Sequence, residues 1–415
     1  MCGIVGIVAR DLTREVPPGA IERMVQTLYH RGPDEEGAIS VPGVALAMRR
    51  LAIVDLAGGQ QPLSNEDGTI HAVANGEIYN FETVKQELIA RGHRFRSRVD
   101  VEVIVHGYEE WGPQFLSRLK GMFALAVWDS RTNTLLAARD RAGEKPLYYT
   151  TTDEGLLLGS EIKALLARPG VDRALDLEAL DQFLTYEYVI APRTIFSSIR
   201  KLPAAHYLLY RDNQVSLHRY WDVADVGVRE WNDDDAAAAL LDTLRRAVNS
   251  QMMSDVPVGV FLSGGIDSST IAVLMQKETA GERVRSFSMG FDDGSYNELP
   301  YAREIAALCG TQHIEGKVTP EVERLFDRLI VHLDEPFADV SLFPTFMVSQ
   351  MAREHVKVVL SGDGGDELFG GYDAYEAQAL AARWASVAPG PAVRVMDALL
   401  EAVPPTSKKK GLVNK

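Results

Sequence analysis

The sequence predicts two unlike α/β domains in succession: stacked β-sheets with flanking helices, then a parallel sheet covered on both faces. Three observations carry this. The first half is a series of short β-rich runs broken by Gly, Asn and Asp. The composition turns polar after Trp221. Beyond Asp235, strands alternate with helical stretches through Gly-rich turns. At 415 residues the chain is also too long for one ordinary domain.

The β-rich runs are CGIVGIVA, VALAMRRLAIVDL, HAVANGEIYN, GMFALAVWDS, TLLAARD and GLLLGSE. Some alternate and some are apolar throughout, as strands packed between layers are. Helical periodicity appears at Ala20 to Leu28 and at Phe81 to Ala90. The polar stretch Asp222 to Asp235 ends in Asn232-Asp233-Asp234-Asp235, good N-caps for the helix DAAAALLDTLRRAVNSQM. VPVGVFL then leads into SGGIDSS and a helix, VRSFSMGF precedes ELPYAREIAALCG, and VKVVL leads into SGDGGDE. Strands alternating with helices imply a parallel sheet.

Apolar residues make up 46% of the chain and charged residues 24%, the balance of a globular protein. No stretch approaches the roughly 18 apolar residues that span a bilayer. The opening MCGIVGIVAR has no basic residues before its apolar run. A cytoplasmic protein without a membrane partner is the expectation. The net charge of −15 repels phosphate backbones and argues against nucleic acid. Two cysteines, Cys2 and Cys309, allow neither a disulfide framework nor a Cys-based zinc site. Cys309 reads as a small buried hydrophobe, and His30 and the other histidines as satisfied structural residues without metal spacing.

Cys2 is the first residue with chemical reach. Removal of Met1 would put a thiol and a free α-amine on one residue, and that amine, with a reference pKa of about 7.7–8.0, can take a proton at neutral pH. Downstream stand His30-Arg31-Gly32-Pro33-Asp34, Arg50-Leu51-Ala52-Ile53-Val54-Asp55, Asn75-Gly76-Glu77-Ile78-Tyr79-Asn80 and Asp100. Acyl transfer needs donors aimed at a developing oxyanion, and the Asn75 amide with the Gly76 N–H, in a turn that Gly permits, would supply two. An amino-acid ligand needs a cation for its carboxylate, which the Arg50 fork suits, and an acid for its ammonium, which Asp100 suits.

Together MCGIVGI, HRGPD, RRLAIVD, NGEIYN and DRAGEKPLYY resemble the amino-terminal-nucleophile glutamine amidotransferases, in the form found in asparagine synthetases. The resemblance covers residues 2–212 and implies a four-layer αββα sandwich. It makes Cys2 the nucleophile and Asn75 with Gly76 the oxyanion hole. Arg50, Ile53, Val54, Asn75, Gly76, Glu77 and Asp100 would hold glutamine. HRGPD would border that site without a direct chemical role.

SGGIDSS, Ser263 to Ser269, follows an apolar strand and opens a helix. Backbone N–H groups at Gly264 and Gly265, the Ser263, Ser268 and Ser269 hydroxyls and a helix N-terminus would cradle phosphate. The loop lacks the lysine of GxxxxGK[ST]. A carboxylate at Asp267 inside such a turn implies a bridging cation, Mg²⁺. The segment resembles the pyrophosphate loop of ATP pyrophosphatases, and SGDGGDE followed by LFGGY resembles the matching segment of asparagine synthetases. That resemblance implies a doubly wound α/β domain over 236–415, after a linker at 213–235. ATP would meet Ser361 and Gly362, with Phe261, Leu262, Ser288 and Met289 on the adenine side, and Asp366 would be a second metal ligand.

The combined expectation is a ligase for asparagine biosynthesis. Glutamine is hydrolysed at Cys2, ATP adenylates aspartate, and ammonia reaches the adenylate through an internal passage. Two alternatives stand beside it: amidation of another carboxylate in a cell-surface saccharide or peptide pathway, and a non-catalytic glutamine- or nucleotide-binding module. Asp363 departs from the family's Glu. The family also continues beyond GGY with elements that recognise aspartate, so the expectation is an incomplete second domain, competent as a glutaminase and poor as a synthetase. Its exposed apolar faces would invite aggregation or a homodimer.

Overall fold

The computed structural model describes residues 1–17, 19–279, 281–291, 297–318, 322–387 and 390. The first domain contributes twelve strands: β1 (Gly3–Ala9), β2 (Glu35–Val41), β3 (Val44–Arg50), β4 (Leu63–Ser64), β5 (Ile70–Ile78), β6 (Gly121–Asp129), β7 (Thr134–Arg139), β8 (Tyr148–Thr152), β9 (Gly155–Gly159), β10 (Arg200–Lys201), β11 (His206–Arg211) and β12 (Gln214–Arg219). They form two six-stranded antiparallel sheets, ordered β10-β8-β9-β1-β3-β2 and β12-β11-β7-β6-β5-β4.

Side-chain alternation builds the layers. Ile4 and Val8 of β1, with Val44, Leu46 and Met48 of β3, pack between the sheets against Val73 of β5 and Ala124 and Ala126 of β6. The intervening Val5, Ile7, Ala45 and Ala47 face the Ala20–Gln26 and Ile162–Leu166 helices. On the far side, Ile70, Ala72 and Ala74 pack against the Phe81–Ala90 and Val103–Trp111 helices. Three cores between four layers give the expected αββα order.

Two boundaries differ from the sequence reading. The strand expected over VALAMRRLAIVDL stops at Arg50, because the Arg50 guanidinium captures the Val54 carbonyl at 2.9 Å and the Asp55 carbonyl at 2.8 Å and folds the following residues into a loop. The segment expected as a linker from residue 213 begins with β12, which pairs with β11 along its full length, so the first domain's sheet runs on to Arg219.

The second domain holds a four-stranded parallel sheet, β15-β14-β13-β16, from β13 (Val258–Phe261), β14 (Arg285–Gly290), β15 (Gln312–Lys317) and β16 (Val358–Leu360). Val260 packs with the Asp233–Gln251, Ile266–Glu278 and Leu299–Cys309 helices on one face. Phe261 and Phe287 pack with the Leu342–Arg353 helix on the other. The expected doubly wound arrangement is thus present. Asn232 caps the first helix, its side chain accepting from Asp235 N at 2.9 Å. Cys309 is half-buried at its helix end, beside the Gly310 C-cap. No helix among the described residues is long and apolar enough to cross a membrane. Leu368 and Phe369, just beyond SGDGGDE, are exposed.

Candidate active site

Cys2 stands at the mouth of β1, where Gly3 pairs with Arg49 of β3. Its Sγ accepts from the Leu51 N–H at 3.4 Å. Burial pushes the thiol up from its ordinary value, so the resting sulfur is protonated and needs a base. The terminal amine, here that of Met1, is lowered to about 6 by the same burial. That Met1 amine is therefore largely unprotonated at neutral pH.

Asn75 and Gly76 lie within β5, opposite Ala124 and Phe123, rather than in the expected turn. The apolar run carries the strand straight through them. Glycine is required at 76 by close approach, since a Cβ there would come within 2.1 Å of the Met122 carbonyl. Asn75 and Glu77 share the face of Val73, which turns into the gap between the sheets. The Asn75 side-chain amide nitrogen is buried without a hydrogen-bond partner, a donor aimed into the pocket.

Asp100 opens a 3₁₀ turn, Asp100–Glu102, and accepts from the Ile78 N–H at 2.6 Å. Burial raises its carboxyl to about 7, with that hydrogen bond opposing. Burial also raises Glu77, against the attraction of Lys145. Arg50 pairs with Glu35 at 2.8 Å while holding Val54 and Asp55, so three of its five N–H donors are engaged, and the residue lines the cavity. Arg31 of HRGPD is not a surface charge. Its Nε donates to the Cys2 carbonyl at 2.9 Å and its Nη1 to Glu161 at 2.8 Å.

Cys2, Arg50, Ile53, Val54, Asn75, Gly76, Glu77 and Asp100 all line one cavity of about 440 Å³. Phe261, Val359, Ser361 and Asp363 of the second domain complete its wall. The other residues expected to meet ATP lie on β14 and in the two Gly-rich segments that follow β13 and β16. Parallel pairing of β13 with β16 brings SGGIDSS beside SGDGGDE. The Ser263 and Ser268 hydroxyls are 2.9 Å apart, and Ser268 Oγ accepts from Ser263 N at 3.2 Å. Leu262 N donates to the Phe287 carbonyl at 2.9 Å, and Ser288 Oγ donates to the Leu262 carbonyl. Met289 lies on β14 in register with Gly316. A Cβ at Gly362 would stand 2.7 Å from Ser268 N, and one at Gly365 would stand 2.5 Å from Asp267 Oδ2. The Asp267 carboxylate thus lies against the SGDGGDE backbone, and Asp366 enters the first turn of the Gly365–Phe369 helix. Asp363 accepts from Ser361 Oγ at 2.9 Å. Gly264, with φ of 87°, and Gly265, the N-cap, complete the turn. These hard carboxylate oxygens suit a divalent cation such as Mg²⁺.

Sequence reasoning missed Lys145, Lys357 and Met122 in the cavity wall. Lys145 stands in DRAGEKPLYY and was legible there as a cation within a motif. Lys357 and Met122 carried no signal, since only packing brings them to the cavity.

Residues 1–221 match the family described as "Glutamine amidotransferase domain", and residues 239–413 match "Asparagine synthase". The chain belongs to the glutamine-hydrolysing asparagine synthetase family. Asparagine synthetase 1 of Bacillus subtilis is 37% identical over 379 residues, covering 90% of this chain and 59% of its own length. A Mycobacterium bovis protein given the asparagine synthetase name provisionally is 36% identical over 438 residues, covering 100% and 67%. Amidase chyE of Penicillium rubens is 32% identical over 381 residues, covering 87% and 56%. The chain thus spans 59% of the length of the first synthetase.

Proposed function

We propose that the chain hydrolyses glutamine at Cys2 and delivers the ammonia to a carboxylate adenylated by ATP, aspartate being the acceptor. The observation that carries this reading is the single cavity whose wall runs from Cys2 and Asp100 to Ser361 and Asp363. Arg50 binds the glutamine α-carboxylate, and Asp100 with Glu77 binds its ammonium. The terminal amine takes the thiol proton as sulfur attacks the amide carbon, and the proton passes to the departing ammonia. The Asn75 amide and the Gly76 N–H hold the oxyanion. Water then releases glutamate.

At SGGIDSS the acceptor carboxylate attacks the α-phosphorus of ATP and pyrophosphate leaves. Ammonia attacks the acyl carbon and AMP leaves. Mg²⁺ held by Asp267 and Asp366 would neutralise the pyrophosphate. The apolar side chains of Met122, Phe261 and Val359 along the cavity favour neutral ammonia over ammonium. The reading takes the reaction to be cytoplasmic, where glutamine and ATP are at hand.

A second acceptor reading, another carboxylate, draws on the relative named amidase chyE rather than asparagine synthetase. A product assay with glutamine, ATP and each candidate acceptor separates the two. Asparagine, AMP and pyrophosphate formed together support the first, and ADP as product would overturn the reading of the second domain. Cys2→Ala is expected to abolish glutamine hydrolysis while ammonia-driven amidation remains.

A further inference from the structure

We propose that Glu66, His93, His106 and Glu109 form a closed site for one divalent transition-metal ion of the zinc class, on the outer helical layer of the first domain. The ligand atoms all lie within 4.8 Å of one another, and no other such cluster occurs among the described residues. None of the four lines the glutamine cavity.

Three segments converge here. Glu66 sits in the turn between β4 and β5, and His93 follows the Phe81–Ala90 helix. His106 and Glu109 are three apart on the Val103–Trp111 helix, hence on one face. The sequence reading expects satisfied structural histidines, and His106 departs from it. It is 1% exposed, yet neither ring nitrogen has a hydrogen-bond partner, and Glu109 Oε2 is buried without one as well. Buried donors and acceptors left unpaired point to an absent ligand.

The geometry selects the ligand. His106 Nδ1 lies 3.4 Å from Glu66 Oε2 and His93 Nδ1 lies 3.9 Å from Glu109 Oε2, while Glu66 Oε1 accepts from the Arg94 N–H at 2.7 Å and leaves Oε2 to ligate. A tetrahedral ion with bonds of about 2.0–2.2 Å needs its ligand atoms about 3.4 Å apart. Small side-chain rotations close the set. Behind each imidazole stands a carboxylate, Glu110 Oε2 at 3.4 Å from His93 Nε2 and Glu102 Oε1 at 3.7 Å from His106 Nε2. The hydrogen bond to Glu110 directs the His93 Nδ1 lone pair toward the ion, and a small ring rotation would let Glu102 do the same for His106, as carboxylates behind ligating histidines do. Glu109 Oε1 is held separately by Asn65 at 3.0 Å and Arg131 at 3.2 Å, leaving Oε2 to ligate. Two neutral imidazoles and two carboxylates balance a 2+ charge. The mixed N/O set favours Zn²⁺ over Mg²⁺ or Ca²⁺. With four protein ligands the site ties the three segments together rather than performing chemistry.

The test uses the full chain, free of histidine tags, carrying Cys2→Ala and Cys309→Ala so that neither thiol can compete, and stripped with EDTA. Titration with Zn²⁺ in excess Mg²⁺, which saturates Asp267 and Asp366, should bind one tight equivalent and raise the unfolding temperature. Co²⁺ should give the intense visible absorption of tetrahedral coordination. His93→Gln and Glu109→Gln should each weaken Co²⁺ binding by at least about tenfold and remove the shift. Glu109→Gln keeps its size and carries the test should His93→Gln fail to fold. Weak, pale octahedral Co²⁺ binding, or affinity unchanged in the variants, would overturn the proposal.

Discussion

Asp255 and Asp55 clasp across the two domains: the Asp55 N–H donates to the Asp255 carboxylate at 2.8 Å, and the Asp255 N–H donates to the Ile53 carbonyl at 3.0 Å. Asp255 precedes β13 of the parallel sheet, while Ile53 and Val54 line the Cys2 cavity. Asp55 adopts a left-handed φ of 51°, unusual for a residue with a side chain. Its carboxylate holds the turn by accepting from Gly58 N at 3.0 Å and Arg98 N at 2.8 Å. The second domain therefore helps to shape the first domain's pocket.

Asp255→Ala should raise KM for glutamine about fivefold, the worth of one charge-assisted hydrogen bond near 1 kcal/mol. Ammonia-driven amidation should change little. Steady-state kinetics with both nitrogen sources check this, and an unchanged KM would show that the loop stands without the clasp.

Glu161 offers a second test. Burial opposes its charge, but hydrogen bonds from His30, Lys163 and Arg31 hold its carboxyl down to about 2. Glu161→Gln breaks a buried pair with Arg31, at a cost of about 3 kcal/mol in stability, and loosens the guanidinium that holds the Cys2 carbonyl. The expected outcome is a kcat for glutamine hydrolysis lowered about tenfold with KM nearly constant. Denaturant unfolding gives the stability arm. The wild-type contribution persists above the unfolded carboxyl value and fades as pH falls toward 2.

Asp100 should govern the pH dependence of glutamine binding. Its carboxyl, raised to about 7, must be ionised to hold an ammonium. KM should then rise about tenfold between about pH 8 and about pH 6. Because the folded value lies above the unfolded one, ionisation costs stability above about pH 7, and the cost vanishes below the unfolded value. Asp100→Asn should accordingly abolish saturable glutamine binding yet stabilise the ligand-free chain at pH 8 by on the order of 2 kcal/mol. Calorimetry and thermal unfolding measure the two effects, and a variant that is less stable at that pH would contradict the assignment.

Gly362→Ala would drive a methyl group to 2.7 Å from Ser268 N at the start of the phosphate loop. ATP–pyrophosphate exchange should fall at least about tenfold, as it should for Asp267→Asn, while glutamine hydrolysis persists in both. Parallel loss of both activities would mean that the two sites do not divide the work as described.

Val359→Phe should test delivery of ammonia. Val359 lines the same cavity as Cys2 and Ser361. A larger ring there is expected to leave glutaminase activity and ammonia-driven synthesis near normal while cutting glutamine-driven synthesis about tenfold. Equal loss with both nitrogen sources would place Val359 in acceptor binding instead.

Local sequence patterns set the layers and the chemical candidates. Apolar alternation in β1, β3 and β5 dictates which side chains enter the inter-sheet core, and short contiguous motifs carry Cys2, Asn75, Asp100 and Asp267 with their chemistry attached. Tertiary structure alone decided three things. Arg50 ends its strand by capturing two carbonyls, a capture that a continuous apolar pattern does not announce. Asn75 and Gly76 stay in the strand because they pair with Ala124 and Phe123 of β6. Asp255 reaches Asp55, and His93 reaches His106, only once separate elements have packed. Periodicity reports which face of an element is buried, whereas contacts between distant elements depend on how those faces stack, and no local pattern encodes that.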